Sequence, residues 1–433
     1  MSEIREIKNG RLYFDGCDTT ELVKQYGSPI YVMSYTAIMD RVNELKRDFL
    51  DKYPGSRVAY ASKAFCTVGM YEILKKNGIC IDIVSGGELY VAKKAGFPAE
   101  MIEFNGNNKL PSEIDDAVSY GVGRFILDGI NEAELIDEAC KKYGKKAKIM
   151  VRITPGVAAS THDYIITGKK DSKFGIPLEE ETFFGVMDKI MKYDTLEFEG
   201  LHMHIGSQLF EYDAYIKSLD ALMDWVKKIY EKYGVATKEV NFGGGFGATY
   251  INEERKPYSF FLEPLMKRLK ERADEIGIPV PLASIEPGRS MVCEAGLTLY
   301  TVGQMKEIKG IREYLAIDGG MYENMRVALY QAEYDGLIAN KADEPKTRKV
   351  SVTGKCCESG DILINDLMVC DSVERGDILA IFSTGAYGYS MASNYNNNPV
   401  PGVVLVKEGQ SEWLVKPETY EQIAQNQVHC TLI

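Results

Sequence analysis

The amino-acid sequence predicts an α/β protein, in which a (β/α)8 barrel is joined to a second, mostly β C-terminal domain that also takes the N-terminal strand. Between residues 28 and 290, eight short apolar runs of strand length alternate with amphipathic runs of helical spacing. From residue 291 onward, strand-like runs follow one another without regular helices. These observations place the barrel at residues 28–290 and a β-sandwich or β-barrel-like domain at residues 1–27 plus 291–433.

The predicted barrel strands share a feature at their carboxyl ends, where small or polar residues follow the apolar run. In chain order they end at Lys63, Ser85, Asn105, Asp128, Thr154, Gly206, Gly243 and Arg289. The helical runs between them include residues 87–95, 111–120, 131–143 and 214–233. An open, doubly wound sheet is the alternative for the same alternation. The polar strand ends favour the barrel, because barrels of this kind build their sites at that end.

The remaining elements are shorter. Ahead of the barrel, we expect a strand at residues 11–15 and a helix at residues 19–26. In the C-terminal domain, strands are expected at residues 299–302, 314–317, 350–353 and 378–382, and a hairpin joins 403–406 to 413–415.

Composition excludes several classes of protein. A formal net charge of −12 argues against a nucleic-acid-binding surface. The first residues lack the apolar segment of a secretory signal. The uncharged run 378–406 is interrupted by glycines, prolines and asparagines, so we expect loop and strand there and no membrane segment. Nine scattered cysteines, without paired metal-ligand spacing, fit the reducing cytoplasm.

Lys63 follows the first predicted barrel strand, at residues 57–61. Apolar walls at the end of a buried strand disfavour an ammonium group, so the neutral amine would be accessible as a nucleophile toward carbonyl groups. A surface lysine whose stem packs on apolar neighbours is the alternative.

A glycine-rich segment, residues 242–247, follows the seventh predicted strand. Consecutive glycines let backbone N–H groups close around a phosphate, because no Cβ blocks the approach. A tight turn is the alternative for the glycines alone. Together with Ser207 after the sixth strand and Arg289 after the eighth, they predict a pocket for a dianion.

Glu286 and two histidines lie on neighbouring predicted strands. A buried carboxylate needs a partner, and if Lys63 carries an aldehyde cofactor with a pyridine ring, Glu286 would keep the ring nitrogen protonated. A structural Glu286–Arg289 pair is the alternative. His202 and His204 face the same way and could bind a metal, as in barrel hydrolases.

We expect no metal, however, because no further ligands occur at suitable spacing. The other histidines of the chain are His162 and His429. We interpret His204 as a flat ring stacked on a cofactor and His202 as a packed structural neighbour.

Three groups in the C-terminal domain could take part in chemistry. Cys357 stands beside Glu358 in a predicted turn and could donate a proton if exposed, although a buried, inert thiol is the common alternative. Arg326 and Tyr330 are four residues apart, so they share one face suited to a carboxylate if the stretch is helical; a surface pair is the alternative. Residues 385–396, which include Tyr387, indicate an aromatic, hydroxyl-rich loop.

Seven motifs, in chain order, are similar to those of the diaminopimelate decarboxylases, which are pyridoxal-phosphate enzymes with an alanine-racemase-type barrel. They are Tyr60-Ala-Ser-Lys63, Gly106-Asn-Asn-Lys109, His204-Ile-Gly-Ser-Gln208, Gly243-Gly-Gly-Phe-Gly247, Glu286-Pro-Gly-Arg289, Cys357-Glu-Ser-Gly-Asp361 and Gly385-Ala-Tyr387. The resemblance extends over nearly the whole chain.

The resemblance implies a cofactor, pyridoxal 5'-phosphate, and a role for each matching residue. Lys63 would form the internal Schiff base, His204 would cover one ring face and Glu286 would bind the pyridinium nitrogen. The remaining cofactor-binding residues would be Ser207, Gly243, Gly244, Gly245, Gly288, Arg289 and Tyr387. The amino-acid substrate would be bound by Arg289, Arg326, Tyr330, Glu358 and Tyr387.

The resemblance also implies a homodimer with shared active sites and a specific reaction. Cys357 would be the proton donor, and both Cys357 and Glu358 would come from the partner subunit. The expected reaction is decarboxylation of meso-diaminopimelate at its D-configured carbon to L-lysine and CO2. Val327, Lys355 and residues 331–334 depart from the family's pattern and bear on the fit around the distal end of the substrate.

Other functions remain possible from the sequence. One is a decarboxylase of a related basic or D-amino acid, such as ornithine or lysine, which lacks the distal carboxylate that Arg326 would bind. Another is an amino-acid racemase, which would need an acid–base residue such as tyrosine in place of Cys357. A non-catalytic pyridoxal-phosphate carrier would resemble the barrel alone.

Overall fold

The chain forms two compact units in the computed structural model, which describes residues 4–156 and 172–432. The β unit comprises Met1–Arg41, Ala248–Glu254 and Met291–Ile433, and the barrel unit comprises Val42–Gly247 and Arg255–Ser290. His162 lies outside the described residues.

The barrel unit is built around eight parallel strands that close into a ring. They are β1 (Arg57–Ala61), β2 (Cys80–Ile83), β3 (Ile102–Phe104), β4 (Arg124–Leu127), β5 (Ala147–Thr154), β6 (Leu196–Met203), β7 (Glu239–Asn241) and β8 (Leu282–Ile285). Strand β8 pairs in parallel with β1, with Ser284 opposite Arg57. This pairing closes the sheet, so the predicted barrel is confirmed and the open sheet is wrong.

The helices of the barrel unit lie between these strands. In chain order the longer ones are Val68–Lys76, Gly86–Lys94, Pro111–Tyr120, Ile130–Tyr143, Glu180–Ile190, Asp213–Tyr233 and Tyr258–Ile276. Side-chain caps fix two of the starts, because Thr67 accepts a hydrogen bond from the N–H of Met70 and Ser85 accepts one from that of Glu88. A helix at Tyr35–Leu45 runs into a π-helical turn at Lys46–Leu50, and short helical turns occupy Ser62–Ala64, Ala99–Met101 and Arg289–Val292. A two-residue strand, Ile176–Pro177, pairs with the end of β5.

The β unit contains two sheets. Arg5–Lys8, Arg11–Phe14 and Cys17–Asp18 form an antiparallel three-stranded sheet. The larger sheet has the order Ile362–Cys370, Lys346–Thr353, Arg312–Ile317, Gly296–Ile308, Ile30–Ser34, Val403–Lys407 and Gln410–Val415. Ile378–Phe382 also pairs with Gly296–Ile308, and Gly336–Ile338 pairs with Ile378–Phe382. The helices of the β unit are Thr19–Tyr26, Arg326–Tyr330 and Tyr420–Ala424, with shorter turns at Ala339–Lys341, Tyr389–Met391 and Tyr395–Asn397.

The strand Ile30–Ser34 belongs to this larger sheet, whereas the sequence analysis assigns residues from 28 onward to the barrel. It pairs antiparallel with residues 296–299 and parallel with residues 403–406. All five of its residues are buried. A mostly apolar run of this length has no regular polar alternation, so the pattern alone does not say which sheet it enters.

The interior of the barrel unit is not purely apolar. The guanidinium of Arg124 on β4 lies 2.5 Å from a carboxylate oxygen of Glu239 on β7 and 3.5 Å from Glu103 on β3. Burial raises the pKa of Glu103 to about 7, although the charge of Arg124 opposes that shift. Apolar side chains instead fill the space between strands and helices, as on the Glu180–Ile190 helix, where Phe183, Val186, Met187 and Ile190 are buried. No helix in the described part of the chain has an apolar stretch long enough to span a membrane.

Candidate active site

Glu286 follows β8 and is held by three hydrogen-bonding side chains. Its Oε1 accepts from the amides of Asn105 at 3.1 Å and Asn241 at 2.9 Å, and its Oε2 lies 2.9 Å from Nε2 of His202. Burial raises the pKa of Glu286, but the interactions with His202 and with other nearby groups, Lys63 among them, together outweigh burial, so the pKa falls to about 2. Glu286 is therefore a carboxylate at neutral pH, although only 6% of the residue is exposed.

Asp82 on β2 is a second buried acid beside this carboxylate. The amide of Asn105 donates to Asp82 at 2.9 Å as well as to Glu286. Burial raises the pKa of Asp82 well above its usual value, and the charge of Glu286 raises it further. Asp82 is therefore the acid of this pair that binds a proton more readily.

The two histidines of β6 and its following loop have different partners. His202 binds Glu286, so it is more than the packed neighbour that the sequence analysis expects. Nδ1 of His204 accepts a hydrogen bond from the N–H of Gly244 at 3.2 Å. Burial lowers the pKa of His204 well below its usual value, and the charge of Lys63 lowers it further, so the ring is neutral. Among the residues that the structure describes, no cluster of His, Cys, Asp and Glu could hold a metal ion.

Lys63 lies in the helical turn that follows β1, between the buried residues Ser62 and Ala64. Its own side chain is exposed. Its positive charge lowers the pKa of Asp82, Glu88 and Glu286, which places these carboxyl groups within electrostatic reach. The sequence predicts apolar walls around this amine, and the structure adds acids that come from β2, from the helix Gly86–Lys94 and from the end of β8.

The glycine-rich segment after β7 is fixed by hydrogen bonds on both sides. The hydroxyl of Tyr215 donates to the carbonyl of Gly244 at 2.8 Å, and the N–H of Leu209 donates to the carbonyl of Gly245 at 2.9 Å. A Cβ on Gly244 would lie 2.2 Å from the carbonyl oxygen of Glu286. Gly245 has φ +110°, and a Cβ there would lie 2.6 Å from the carbonyl oxygen of Gly206. Both positions therefore require glycine.

Arg289 and Ser207 meet beside this segment. Nε and Nη2 of Arg289 donate to the Ser207 hydroxyl at 3.2 and 3.1 Å. Ser207 directly follows Gly206, and the carbonyl of Gly206 packs against Gly245. The Arg289 guanidinium, the Ser207 hydroxyl and the glycine-rich segment therefore form one polar corner. Gly288 has a packing role, since a Cβ there would lie 3.0 Å from the Cβ of Ala61 on β1.

In the β unit, Arg326 begins the helix Arg326–Tyr330, so its predicted helical relation to Tyr330 is observed. Arg326 is buried, and its Nη1 donates to the hydroxyl of Tyr334 at 2.5 Å. Its guanidinium carbon also lies 4.8 Å from the ring centroid of Tyr250. Tyr330 is 38% exposed.

Cys357 and Glu358 lie in an exposed turn of the same unit, so the buried alternative for Cys357 is wrong. The N–H of Cys357 donates to the side-chain oxygen of Asn396 at 2.9 Å. Asp361 holds the base of the turn, because it accepts from the N–H groups of Cys356 at 2.8 Å and Met321 at 2.6 Å. The turn thus presents a thiol and a carboxylate on a fixed backbone.

Tyr387 lies in the loop between Ile378–Phe382 and Tyr389–Met391, with φ +59°. A non-glycine residue in this region of the Ramachandran plot is uncommon and marks a constrained loop. Two residues before Tyr387, a Cβ on Gly385 would lie 2.0 Å from the carbonyl oxygen of Val292.

Several residues that contact the predicted site residues were not assigned to the site from the sequence: Asp82, Asn241, Tyr215, Tyr250 and Tyr334. Asp82 and Asn241 carried a signal, since each is a polar residue inside an apolar strand. Tyr334 belongs to residues 331–334, already noted for their departure from the family's pattern, whereas Tyr215 and Tyr250 carried no signal, because aromatic residues at helical or loop positions are common in any core.

The comparisons with known proteins agree with this geometry. Residues 39–293 match the family model described as pyridoxal-dependent decarboxylase, pyridoxal binding domain. The diaminopimelate decarboxylase of Bacillus subtilis (strain 168) is 43% identical over 420 residues, which are 97% of this chain and 95% of that protein.

The chain belongs to the diaminopimelate decarboxylase family. The diaminopimelate decarboxylase of Staphylococcus aureus (strain COL) is 39% identical, with 98% of this chain and 99% of that protein covered. The crystal structure of diaminopimelate decarboxylase from M. jannaschii in co-complex with L-lysine superposes with a TM-score of 0.92 at 34% identity, covering 99% of this chain and 98% of that one. As a member of this family, the protein is a carboxy-lyase with the barrel of pyridoxal-dependent decarboxylases.

Proposed function

We propose that the protein decarboxylates meso-2,6-diaminopimelate at its D-configured carbon, releasing L-lysine and CO2, the last step of lysine biosynthesis, with pyridoxal 5'-phosphate as its cofactor. The observation that carries the proposal is the ionised Glu286, fixed at the carboxyl end of the barrel within electrostatic reach of Lys63. The relatives named diaminopimelate decarboxylase support this choice of substrate.

The residues of the barrel unit fit a phosphorylated pyridine aldehyde. The corner formed by Gly245, Ser207 and Arg289 offers a hydroxyl and a guanidinium beside a backbone that no Cβ crowds, which suits a phosphate dianion. Gly243 and Gly244 support this corner indirectly, because their N–H groups donate to Asn241 and His204. The permanent negative charge of Glu286 suits a protonated ring nitrogen.

The cofactor, when bound, accepts the electron pair that departing CO2 leaves on the substrate carbon. Lys63 would bind the aldehyde of the cofactor, and the substrate amine would replace Lys63 there. Glu286 would keep the ring nitrogen protonated, and the neutral ring of His204 would lie flat against it. Gly288 would allow the close packing that places Glu286 and Arg289 after β8.

Residues of the β unit, together with Arg289 of the barrel unit, would recognise the substrate. Arg326 and Tyr330 would bind the distal carboxylate, and Arg289, Tyr387 and Glu358 would contact the rest of the molecule. Cys357 would deliver a proton to the carbon that has lost CO2. We propose that Cys357 and Glu358 act in the site of the partner subunit of a homodimer.

A direct test compares CO2 release from meso-diaminopimelate, ornithine and lysine. We expect release from meso-diaminopimelate alone, since the other two would leave the buried Arg326 without the distal carboxylate. Equal release from all three substrates would overturn the proposed specificity. Conversion of one enantiomer of an amino acid into the other, without CO2, would favour a racemase.

Spectroscopy tests the cofactor. Purified protein should show the absorbance of lysine-bound cofactor at roughly 410–430 nm. Lys63→Ala should lose this band and the CO2 release, whereas Lys76→Ala, at the end of the Val68–Lys76 helix, should keep both. A band that persists in Lys63→Ala contradicts the role of this lysine.

We propose a cytoplasmic location, because all nine cysteines are free thiols in the structure. Cell fractionation with a cytoplasmic marker enzyme checks this, and recovery of the protein in another fraction contradicts it.

A further inference from the structure

Arg326 is enclosed by two tyrosines of the β unit, Tyr250 and Tyr334. Its guanidinium carbon lies 4.8 Å from the ring centroid of Tyr250 and 5.7 Å from that of Tyr334. Its Nη1 donates to the hydroxyl of Tyr334 at 2.5 Å. The two rings meet edge to face, with centroids 5.5 Å apart and an interplanar angle of 81°. Each of the three residues is less than 10% exposed.

The backbone around each tyrosine is itself fixed. The N–H groups of Tyr250 and Ile251 both donate to one carboxylate oxygen of Glu253, at 3.0 and 2.8 Å, which holds the turn that carries Tyr250. Tyr334 follows Gln331, which ends the Arg326–Tyr330 helix with φ +52° and an N–H bonded to the carbonyl of Val327. The segment that departs from the family's pattern, residues 331–334, therefore supplies one of the two tyrosines.

We propose that Tyr250 and Tyr334 are positioning residues that fix the plane of the Arg326 guanidinium for the distal carboxylate of the substrate. This inference rests on the proposed function, since it assigns Arg326 to that carboxylate. An arginine side chain has many rotamers, and a carboxylate binds best to a guanidinium held in one plane. Two rings and one hydroxyl fix that plane before the substrate arrives, so less conformational freedom is lost on binding.

Tyr250 and Tyr334 should therefore affect the binding only of ligands that carry the distal carboxylate. Diaminopimelate carries it, and L-lysine retains it after CO2 is lost from the other end. Cadaverine, the diamine with the same carbon chain, has no carboxylate. Loosening Arg326 should weaken the first two ligands and leave the third unchanged.

The experiment uses the full chain loaded with cofactor and two variants. Tyr334→Phe keeps the ring and removes the hydroxyl, and Tyr250→Leu removes the other ring. Tyr26→Phe is the matched control, because the Tyr26 hydroxyl lies in the same unit and bonds to Ser411 at 3.0 Å. The measurements are kcat and KM for meso-diaminopimelate, Ki for L-lysine and for cadaverine, and the thermal midpoint.

For Tyr334→Phe, we expect KM and the Ki of L-lysine to rise together by about tenfold, which is the loss of one hydrogen bond to a charged group. The Ki of cadaverine should stay within about twofold, and kcat should change little, because the reacting carbon is at the other end of the substrate. Tyr250→Leu should act in the same direction and also carries the test if Tyr334→Phe does not fold. The control should match the wild type.

A parallel rise in the constants for L-lysine and cadaverine, or unchanged constants in both folded variants, would overturn this inference alone. Wild-type protein that releases no CO2 from meso-diaminopimelate would overturn the proposed function, and this inference with it.

Discussion

Glu286 is a buried acid that stays ionised because its three hydrogen-bonding partners are donors, even though a second acid, Asp82, lies beside it. Asn105, Asn241 and His202 come from or directly after β3, β7 and β6, and each points a hydrogen-bonding group at the same carboxylate. A carboxylate that accepts several hydrogen bonds keeps a low pKa despite burial. This arrangement holds a fixed negative charge where a protonated ring nitrogen would need one.

Glu286→Gln should remove this charge and lower kcat for CO2 release by about 10²–10⁴-fold, the range that acid–base groups supply. Steady-state kinetics with saturating cofactor measure the effect. Glu231→Gln, at an exposed position on the Asp213–Tyr233 helix, is the control and should keep wild-type activity. An unchanged kcat in Glu286→Gln would contradict the role of this carboxylate.

Glu323 in the β unit is a buried acid whose pKa is raised, whereas that of Glu286 is lowered. It accepts from the Tyr300 hydroxyl at 2.8 Å and the N–H of Gly320 at 3.1 Å, and burial raises its pKa to about 8. The folded state therefore keeps a proton that the unfolded state releases near its ordinary pKa. Between about pH 4.5 and pH 8 the unfolded state binds fewer protons, so this group's contribution to the free energy of unfolding falls as pH rises.

Glu323→Gln replaces the protonated acid with a neutral group of the same shape. The thermal midpoint of the variant minus that of the wild type should rise as pH goes from 5.5 to 8. Only the wild type loses the contribution of Glu323 to the free energy of unfolding, by up to about 1.4 kcal/mol per pH unit. Thermal unfolding at several pH values measures this. Glu412→Gln, at an exposed strand position, should leave the pH dependence unchanged, and a gap that does not vary with pH would refute the prediction.

At the scale of elements, the glycine-rich segment after β7 is held by contacts with its own chain. Gly245→Ala forces a Cβ to within 2.6 Å of the Gly206 carbonyl oxygen at φ +110°. We expect a loss of about 1–3 kcal/mol in the free energy of unfolding from this strain, together with weaker cofactor binding. Denaturant unfolding and cofactor titration measure the two effects.

Gly185→Ala is the matched control for this prediction. Gly185 lies inside the helix Glu180–Ile190, and a Cβ there meets no other atom within 4 Å. This variant should gain about 0.5–1 kcal/mol in the free energy of unfolding and keep its affinity for the cofactor. Similar losses in both glycine variants would show that Gly245 has no special role.

Local patterns in the sequence sufficed to predict each barrel strand and the residues that follow it. The predicted ends at Lys63, Asn105 and Gly243 lie within two residues of the observed ends of β1, β3 and β7. Apolar runs bounded by polar residues are a local signal, and eight such runs in series leave few possible folds. The helix Arg326–Tyr330 was not predicted outright, because the spacing of Arg326 and Tyr330 says only that they share a face if the stretch is helical.

The partners of the site residues were not predictable in the same way. Asn105 and Glu286 are 181 positions apart in the chain, and Arg326 and Tyr250 come from segments separated by part of the barrel unit. Such contacts arise only when the strands close into a ring or a sheet assembles from distant segments. Asp82 and Glu88, two of the three acids around Lys63, were missed for this reason, since each lies on a different element.

At the scale of the whole molecule, the proposed sharing of active sites makes a quantitative prediction. Lys63→Ala and Cys357→Ala should each be inactive as pure proteins. Mixed and allowed to exchange subunits, they should form heterodimers in which one site has both residues intact. Random exchange restores about a quarter of the sites.

CO2 release measured before and after exchange tests this sharing. Activity that appears only on mixing supports it. No recovery, despite heterodimers detected by mass spectrometry of tagged subunits, would place Cys357 and Lys63 of one chain in the same site.

The position of the strand Ile30–Ser34 has a consequence for biosynthesis on the ribosome. Its two neighbours in the sheet, Gly296–Ile308 and Val403–Lys407, are translated long after it. At about 5–20 residues per second, the nascent strand waits roughly 20–75 s before its last neighbour is made. All the strands of the barrel emerge within that interval, so the barrel has time to fold first. An apolar segment left without neighbours for so long is a natural substrate for chaperones that bind nascent chains.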